Sequence, residues 1–112
     1  MTPEEIVQKQ LDAYNNRDID TFIACHAPEA ALYSFSDNEP FVKGHEQIRA
    51  TYSEIFDSSP KLYSKLINRI VFRNKVIDHE EITGRKGVDI LELVAIYEVN
   101  DTSIIKVHFI RK

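Results

Sequence analysis

The chain has 112 residues, 43% hydrophobic and 29% charged, with a formal net charge of −4. That is the size of one domain around a single core, with the composition of an ordinary globular protein. Scattered basic residues in an acidic chain leave no footprint for nucleic acid. No run approaches the roughly 18 apolar residues of a membrane helix. Cys25 stands alone, so no internal disulfide forms, which fits a reducing cytoplasm. The opening MTPEEIVQKQ is acidic and polar, where a secretory signal needs a basic start and an apolar run.

Thr2–Pro3–Glu4–Glu5 reads as a helix start: Thr as N-cap, Pro in the first turn, and Glu5 at capping-box spacing. Ile6, Gln10, Leu11, Ala13 and Tyr14 form its apolar face, and Asn15–Asn16 ends it. Asp18 or Asp20 caps a short second helix over Thr21–His26, stopped by Pro28, with Phe22, Ile23 and Cys25 inward. Ala30–Phe35 is a first strand. Phe41–Lys43 pairs back on it after the polar turn Ser36–Pro40. Gly44 opens a third helix to about Phe56, burying Ile48, Tyr52, Ile55 and Phe56.

From Lys61 onward the pattern changes to four long strands, Leu62–Arg73, Lys75–Thr83, Asp89–Val99 and Ser103–Arg111. Strands of this length bend. The last two, LELVAIYEV and SIIKVHFIR, flank Asn100–Thr102 and read as a β-hairpin. Leu91, Leu93, Ala95, Tyr97 and Val99 share one face, and Ile90, Val94 and Ile96 share the other with Glu92 and Glu98. In the last strand Ile105, Val107, Phe109 and Arg111 oppose Ile104, Lys106, His108 and Ile110. A hairpin apolar on both faces needs cover on both. The helices supply one cover. No helix is left for the other, so a homodimer through Val94, Ile96, Ile104, His108 and Ile110 is expected. Helices followed by strands give an α+β domain spanning residues 1–112, its sheet covered on one face.

The order of these elements, together with YNNRDIDTFIACHAPEAALY, KGHEQIRATYSEIF, VIDHEEITG and AIYEVNDTSIIKVHFIR, resembles the nuclear transport factor 2-like superfamily. Within it, the chain resembles the SnoaL-like and ketosteroid isomerase-like branch over nearly its whole length. The resemblance implies a curved mixed sheet wrapped as a cone around three N-terminal helices, with an apolar pocket at the open end. It also implies dimerisation through the convex face. The superfamily holds isomerases, cyclases, dehydratases and plain binding modules, so fold alone assigns no reaction. Ketosteroid isomerase-like members use a Tyr, a neutral Asp and a second, proton-carrying Asp. The matching positions here are Gln10, Ala95 and Ser34, none of which can do that work. Steroid isomerisation by that route is not expected.

Asp78-His79-Glu80-Glu81 places four ionisable residues consecutively in a strand, which splits them between two faces. Family parity turns Asp78, Glu80 and Ile82 toward the interior, and a slip of one residue reverses this. Two inward carboxylates suit proton transfer or a polar clamp. The alternative is cross-strand pairing with Arg69, Arg85, Lys106 or Arg111. His79 is either a carboxylate-oriented base or, on the opposite parity, a residue of the dimer face. His108 is expected beside Glu98 or Glu92. The resemblance also implies a ligand pocket walled by Gln10, Tyr14, Ser34, Tyr52, Leu93, Ala95, Tyr97, Val107 and Phe109. Arg111 stands near its mouth, either a fork for a ligand carboxylate or a solvated terminal charge. His26, His45, His79 and His108 lack metal-ligand spacing, and no metal or other cofactor is expected. Cys25 reads as a small buried hydrophobe.

The reading is therefore a small-molecule pocket protein for an apolar or amphipathic ligand. Asp78 and Glu80 are its candidate acid–base groups. A non-catalytic binding or dimerisation module with a filled pocket is the alternative.

Overall fold

A computed structural model describes all residues, Met1 to Lys112. Three helices precede or interrupt six strands: α1 (Pro3–Asn15), α2 (Ile19–Ala24), β1 (His26–Ser34), β2 (Val42–Lys43), α3 (Gly44–Ser58), β3 (Tyr63–Phe72), β4 (Lys75–Thr83), β5 (Ile90–Val99) and β6 (Ile104–Arg111). The strands form one open mixed sheet in the order β2-β1-β6-β5-β4-β3. All neighbours are antiparallel except β1 and β6, which run parallel. The α+β architecture is the expected one. No helix is long and apolar enough to cross a membrane.

The expected capping box closes the start of α1, with Thr2 Oγ1 accepting from Glu5 N at 3.2 Å and Glu5 Oε1 accepting from Thr2 N at 2.8 Å. Asp18 caps α2 by accepting from Thr21 N. This helix lies about two residues earlier than its expected span, and β1 begins at His26 instead of Ala30. Pro28 lies inside that strand instead of stopping a helix. It falls where the register between β1 and β6 shifts, a position where a residue without an N–H is tolerated.

The core forms between the helices and the concave face, from Ile6, Val7, Phe22, Leu32, Ile48, Leu62, Val76, Val99, Ile104 and Val107 among others. Fully burying one such aliphatic side chain stabilises the fold by about 1.5–3 kcal/mol. The final hairpin pairs as its pattern predicts, Tyr97 opposite Val107 and Ala95 opposite Phe109. One detail differs. The register shifts between Glu98 and Val99, so Ile104 faces inward and is fully buried in the core instead of joining the convex face.

Candidate functional site

Alternation along β4 settles its parity. Val76, Asp78, Glu80 and Ile82 are buried on the concave side, while His79 and Glu81 are half-exposed. The two inward carboxylates have opposite environments. Asp78, 0% exposed, is gripped by Arg69, whose Nε and Nη2 donate to its two oxygens at 2.7 and 2.9 Å. Gln8 of α1 accepts from the same guanidinium at 2.8 Å. Asp78 is therefore an ion-pair partner, the cross-strand alternative. It is not on the wall of the main cavity.

Glu80 has no cation against it. Ser64 Oγ donates to Oε1 at 2.6 Å, and the Tyr97 hydroxyl lies at a longer 3.5 Å from Oε2. Ser64 sits diagonally across the β3–β4 pair and is fixed by Asn15 at the end of α1. The Asn15 side chain accepts from Ser64 N at 2.7 Å and donates to Ser64 O at 3.1 Å. Burial, aided by the nearby charge of Asp78 and opposed by the two hydroxyl groups, pushes the Glu80 carboxyl up to about 7.

Glu80 belongs to the wall of a cavity of about 100 Å³. The remaining lining residues are Gln10, Tyr14, Phe22, His26, Leu32, Phe41, Thr51, Tyr52, Ile55, Ile82, Arg85, Leu91, Leu93, Tyr97, Val107, Phe109 and Arg111. Eight of the ten expected pocket residues are among them; Ser34 and Ala95 are not. Ala95 is fully buried opposite Asp78, and Ser34 Oγ instead accepts from Arg111 Nη1 at 3.3 Å. Tyr14, Phe22, Tyr52 and Phe56 pack edge-on or tilted, with ring centroids 4.6–6.4 Å apart, and fill much of the cone. Burial raises the pKa of Tyr14 and Tyr97, and pushes Tyr52 up to about 12, so all three hydroxyls stay protonated at neutral pH.

Three polar groups of the wall, His26, Thr51 and Arg85, are not assigned these roles by the sequence. The His26 ring is 3% exposed, and its Nδ1 donates to the Phe22 carbonyl at 2.8 Å. A carbonyl can only accept, so Nδ1 carries the proton and Nε2 is left as an acceptor. Burial holds this imidazole neutral, with its pKa depressed to about 4. The sequence offers His26 only as a metal-ligand candidate, and its position at the α2–β1 junction carries no sign of the cavity. No group of three or more His, Cys, Asp or Glu side chains converges on one point. Thr51 comes from α3, and Arg85 from the loop after β4. Gln10 Oε1, by contrast, is enclosed with no donor from the protein, unusual for a buried polar atom.

On the convex side His79 Nε2 meets Glu92 Oε2 at 2.6 Å. His108 does not pair with a glutamate; it stacks on Tyr33 at 4.8 Å with planes 16° apart.

The family model of the SnoaL-like domain matches residues 7–107. The chain belongs to the SnoaL-like family. Among solved structures, this SnoaL-like domain is similar to an uncharacterised cystatin-fold protein from Novosphingobium aromaticivorans, with TM-score 0.91, 21% identity and 99% of each chain covered. It is also similar to a candidate polyketide cyclase from Sinorhizobium meliloti, with TM-score 0.78, 17% identity and 94% of this chain and 93% of that chain covered. A candidate ketosteroid isomerase from Kribbella flavida gives TM-score 0.83 at 16% identity, over 98% of this chain and 77% of that chain. Identities this low establish the shared fold alone. No curated protein is significantly similar in sequence.

Proposed function

We propose that this SnoaL-like protein binds a small, largely apolar molecule in its cone and exchanges a proton with it through Glu80, in a reaction of the isomerase, cyclase or dehydratase type. One observation carries the proposal: a carboxyl on the cavity wall, 5% exposed, is held by hydroxyl groups instead of a cation. With a pKa near neutrality, Glu80 populates both protonation states and can give or take a proton. Tyr14, Tyr52 and Tyr97 keep their protons and can donate hydrogen bonds to an oxygen that gains charge. Neutral His26 offers an acceptor on the same wall. Asp78, neutralised by Arg69, takes no part. The set differs from that of the ketosteroid isomerase-like relatives, whose acid positions fall on Ala95 and Ser34. The test is hydrogen–deuterium exchange at carbon in a panel of small ketones and acids, followed by proton NMR. Catalysed exchange, slowed about 10²–10⁴-fold by Glu80→Gln, is the expected result. Equal exchange by both proteins would contradict it.

Cavity size favours a second reading. About 100 Å³ is less than the roughly 150 Å³ of an apolar cavity that takes up a benzene ring, and a sterol is several times larger than benzene. A non-catalytic module, its cone filled by its own aromatic rings, accounts for that volume. A null exchange result across the panel would select it.

The proposal extends to a homodimer in a reducing cytoplasm. Val94, Ile96 and Ile110 lie on the convex face with Ile110 well exposed, and the lone Cys25 is buried and unpaired, which supports both points.

A further inference from the structure

Arg111 and Arg85 both line the cavity, and neither guanidinium has a carboxylate partner. Arg111 is nevertheless held in place. Its guanidinium lies 5.0 Å from the Phe109 ring centroid and 5.2 Å from that of Phe41, and it donates to Ser34 Oγ. Arg111 is exposed, and these contacts hold its guanidinium beside the cavity. Arg85 follows Gly84, whose φ of +77° and close approach to the Lys61 carbonyl fix the turn that delivers it.

Two unpaired guanidinium groups beside an apolar cavity form a receptor for an anion, and their planar forks match a carboxylate. Tyr52 lines the same cavity as both arginines and Glu80. Gln10 Oε1, enclosed without a donor, adds an acceptor for a hydroxyl or N–H group.

We infer that the ligand is a small carboxylic acid whose carboxylate is held by Arg111 and Arg85, with a short carbon chain reaching into the cavity. The inference deepens the proposed function and rests on its premise that the cone is occupied by a ligand. The cavity volume limits the buried part to a few carbon atoms, and the enclosed Gln10 oxygen favours a hydroxyl on that chain.

The test uses crotonate and its neutral counterpart crotonamide, titrated into the intact protein and followed by amide chemical shifts. Arg85→Gln, Arg111→Gln and the double variant serve as controls; neither arginine has an ion pair whose loss would unfold the chain. Saturable binding of crotonate at the pocket residues, weakened about 10–100-fold in each single variant and weaker still for crotonamide, is the expected outcome. Equal binding of acid and amide, or binding unchanged in the double variant, would overturn the carboxylate assignment, as would no binding of either probe. Titration of the Glu80 carboxyl carbon in the same samples separates this inference from the proposed function. A midpoint near 7 without crotonate binding removes the carboxylate site and leaves Glu80 as a proton carrier. Crotonate binding with Glu80 at an ordinary carboxylate midpoint does the reverse.

Discussion

Arg69 closes on both oxygens of Asp78 at 2.7 and 2.9 Å, two residues away from a Glu80 that has no cation against it. The chain thus pairs one buried carboxylate with a cation and holds the other with hydroxyl groups, its pKa pushed up to about 7. Removing only one member of a buried ion pair strands the other, at a typical cost of about 3–5 kcal/mol. Arg69→Met should lose about that much in urea unfolding. The double variant Arg69→Met/Asp78→Leu should recover most of it, since two apolar side chains of similar size replace the pair.

Glu80 and His26 give opposite pH dependences. The Glu80 carboxyl rises from 4.5 to about 7 on folding, so the folded state holds the proton more tightly. Its contribution to stability is complete below pH 4.5 and is lost as pH rises to about 7. His26 falls from 6.5 to about 4, so its contribution is complete above pH 6.5 and is lost as pH falls toward 4. Between these limits the two oppose each other. Relative to the parent protein, Glu80→Gln should gain stability steadily from pH 4.5 to 7, reaching roughly 3 kcal/mol. His26→Gln should lose its disadvantage as the pH drops. Chemical denaturation at pH 4.5, 6 and 8 checks both signs.

Ser64 donates to the charged form of Glu80 and so holds its pKa down. Ser64→Ala should move the Glu80 midpoint upward by about one to two units, the worth of one hydrogen bond to a charged group. Asn15→Ala should shift it the same way, because Asn15 anchors the Ser64 backbone on both sides. An NMR titration of the carboxyl carbon reads both variants.

Gly84 takes φ +77°, and an added Cβ would stand 2.0 Å from the Lys61 carbonyl oxygen. Backbone does not yield as a flexible side chain does. Gly84→Ala should therefore destabilise the chain by about 2 kcal/mol or more and displace Arg85 with the turn. Gly87→Ala meets no neighbouring atom and should cost only the strain of its positive φ, so thermal melting should rank the pair in that order.

For the proposed homodimer, sedimentation velocity at micromolar concentration should give a dimer, and Ile96→Lys should shift it to monomer without loss of fold. A parent protein that sediments as a monomer would end that part of the proposal.

Much of the fold was legible because it follows local periodicity. The Thr2–Glu5 capping box, the face of α1 and the alternation along β4 and β5 need no tertiary information. The places that resisted are where register breaks. Ile104 turns inward because of the shift beside Glu98–Val99, and Pro28 sits in a strand because β1 is irregular there. Neither event leaves a pattern in the adjoining residues. The cavity wall was legible in part. Alternation and helix periodicity put Glu80, Leu93, Tyr97, Val107 and Phe109, and Gln10 and Tyr14, on shared faces, and the family resemblance turned those faces toward the pocket. The different fates of Asp78 and Glu80 depend on where Arg69 and Ser64 arrive from β3, a bulged strand whose register the sequence does not announce. His26 and Arg85 come from junctions, where no periodicity assigns a direction.

Proton exchange in this cavity depends on the proton of Glu80. With the carboxyl carbons of glutamate labelled and Glu80→Gln used for assignment, the Glu80 resonance can be followed from pH 4 to pH 9. A midpoint near 7, displaced upward in Ser64→Ala, is the predicted result. A midpoint at the ordinary glutamate value of about 4.3 would contradict it, leaving a buried carboxylate with no proton to exchange at neutral pH.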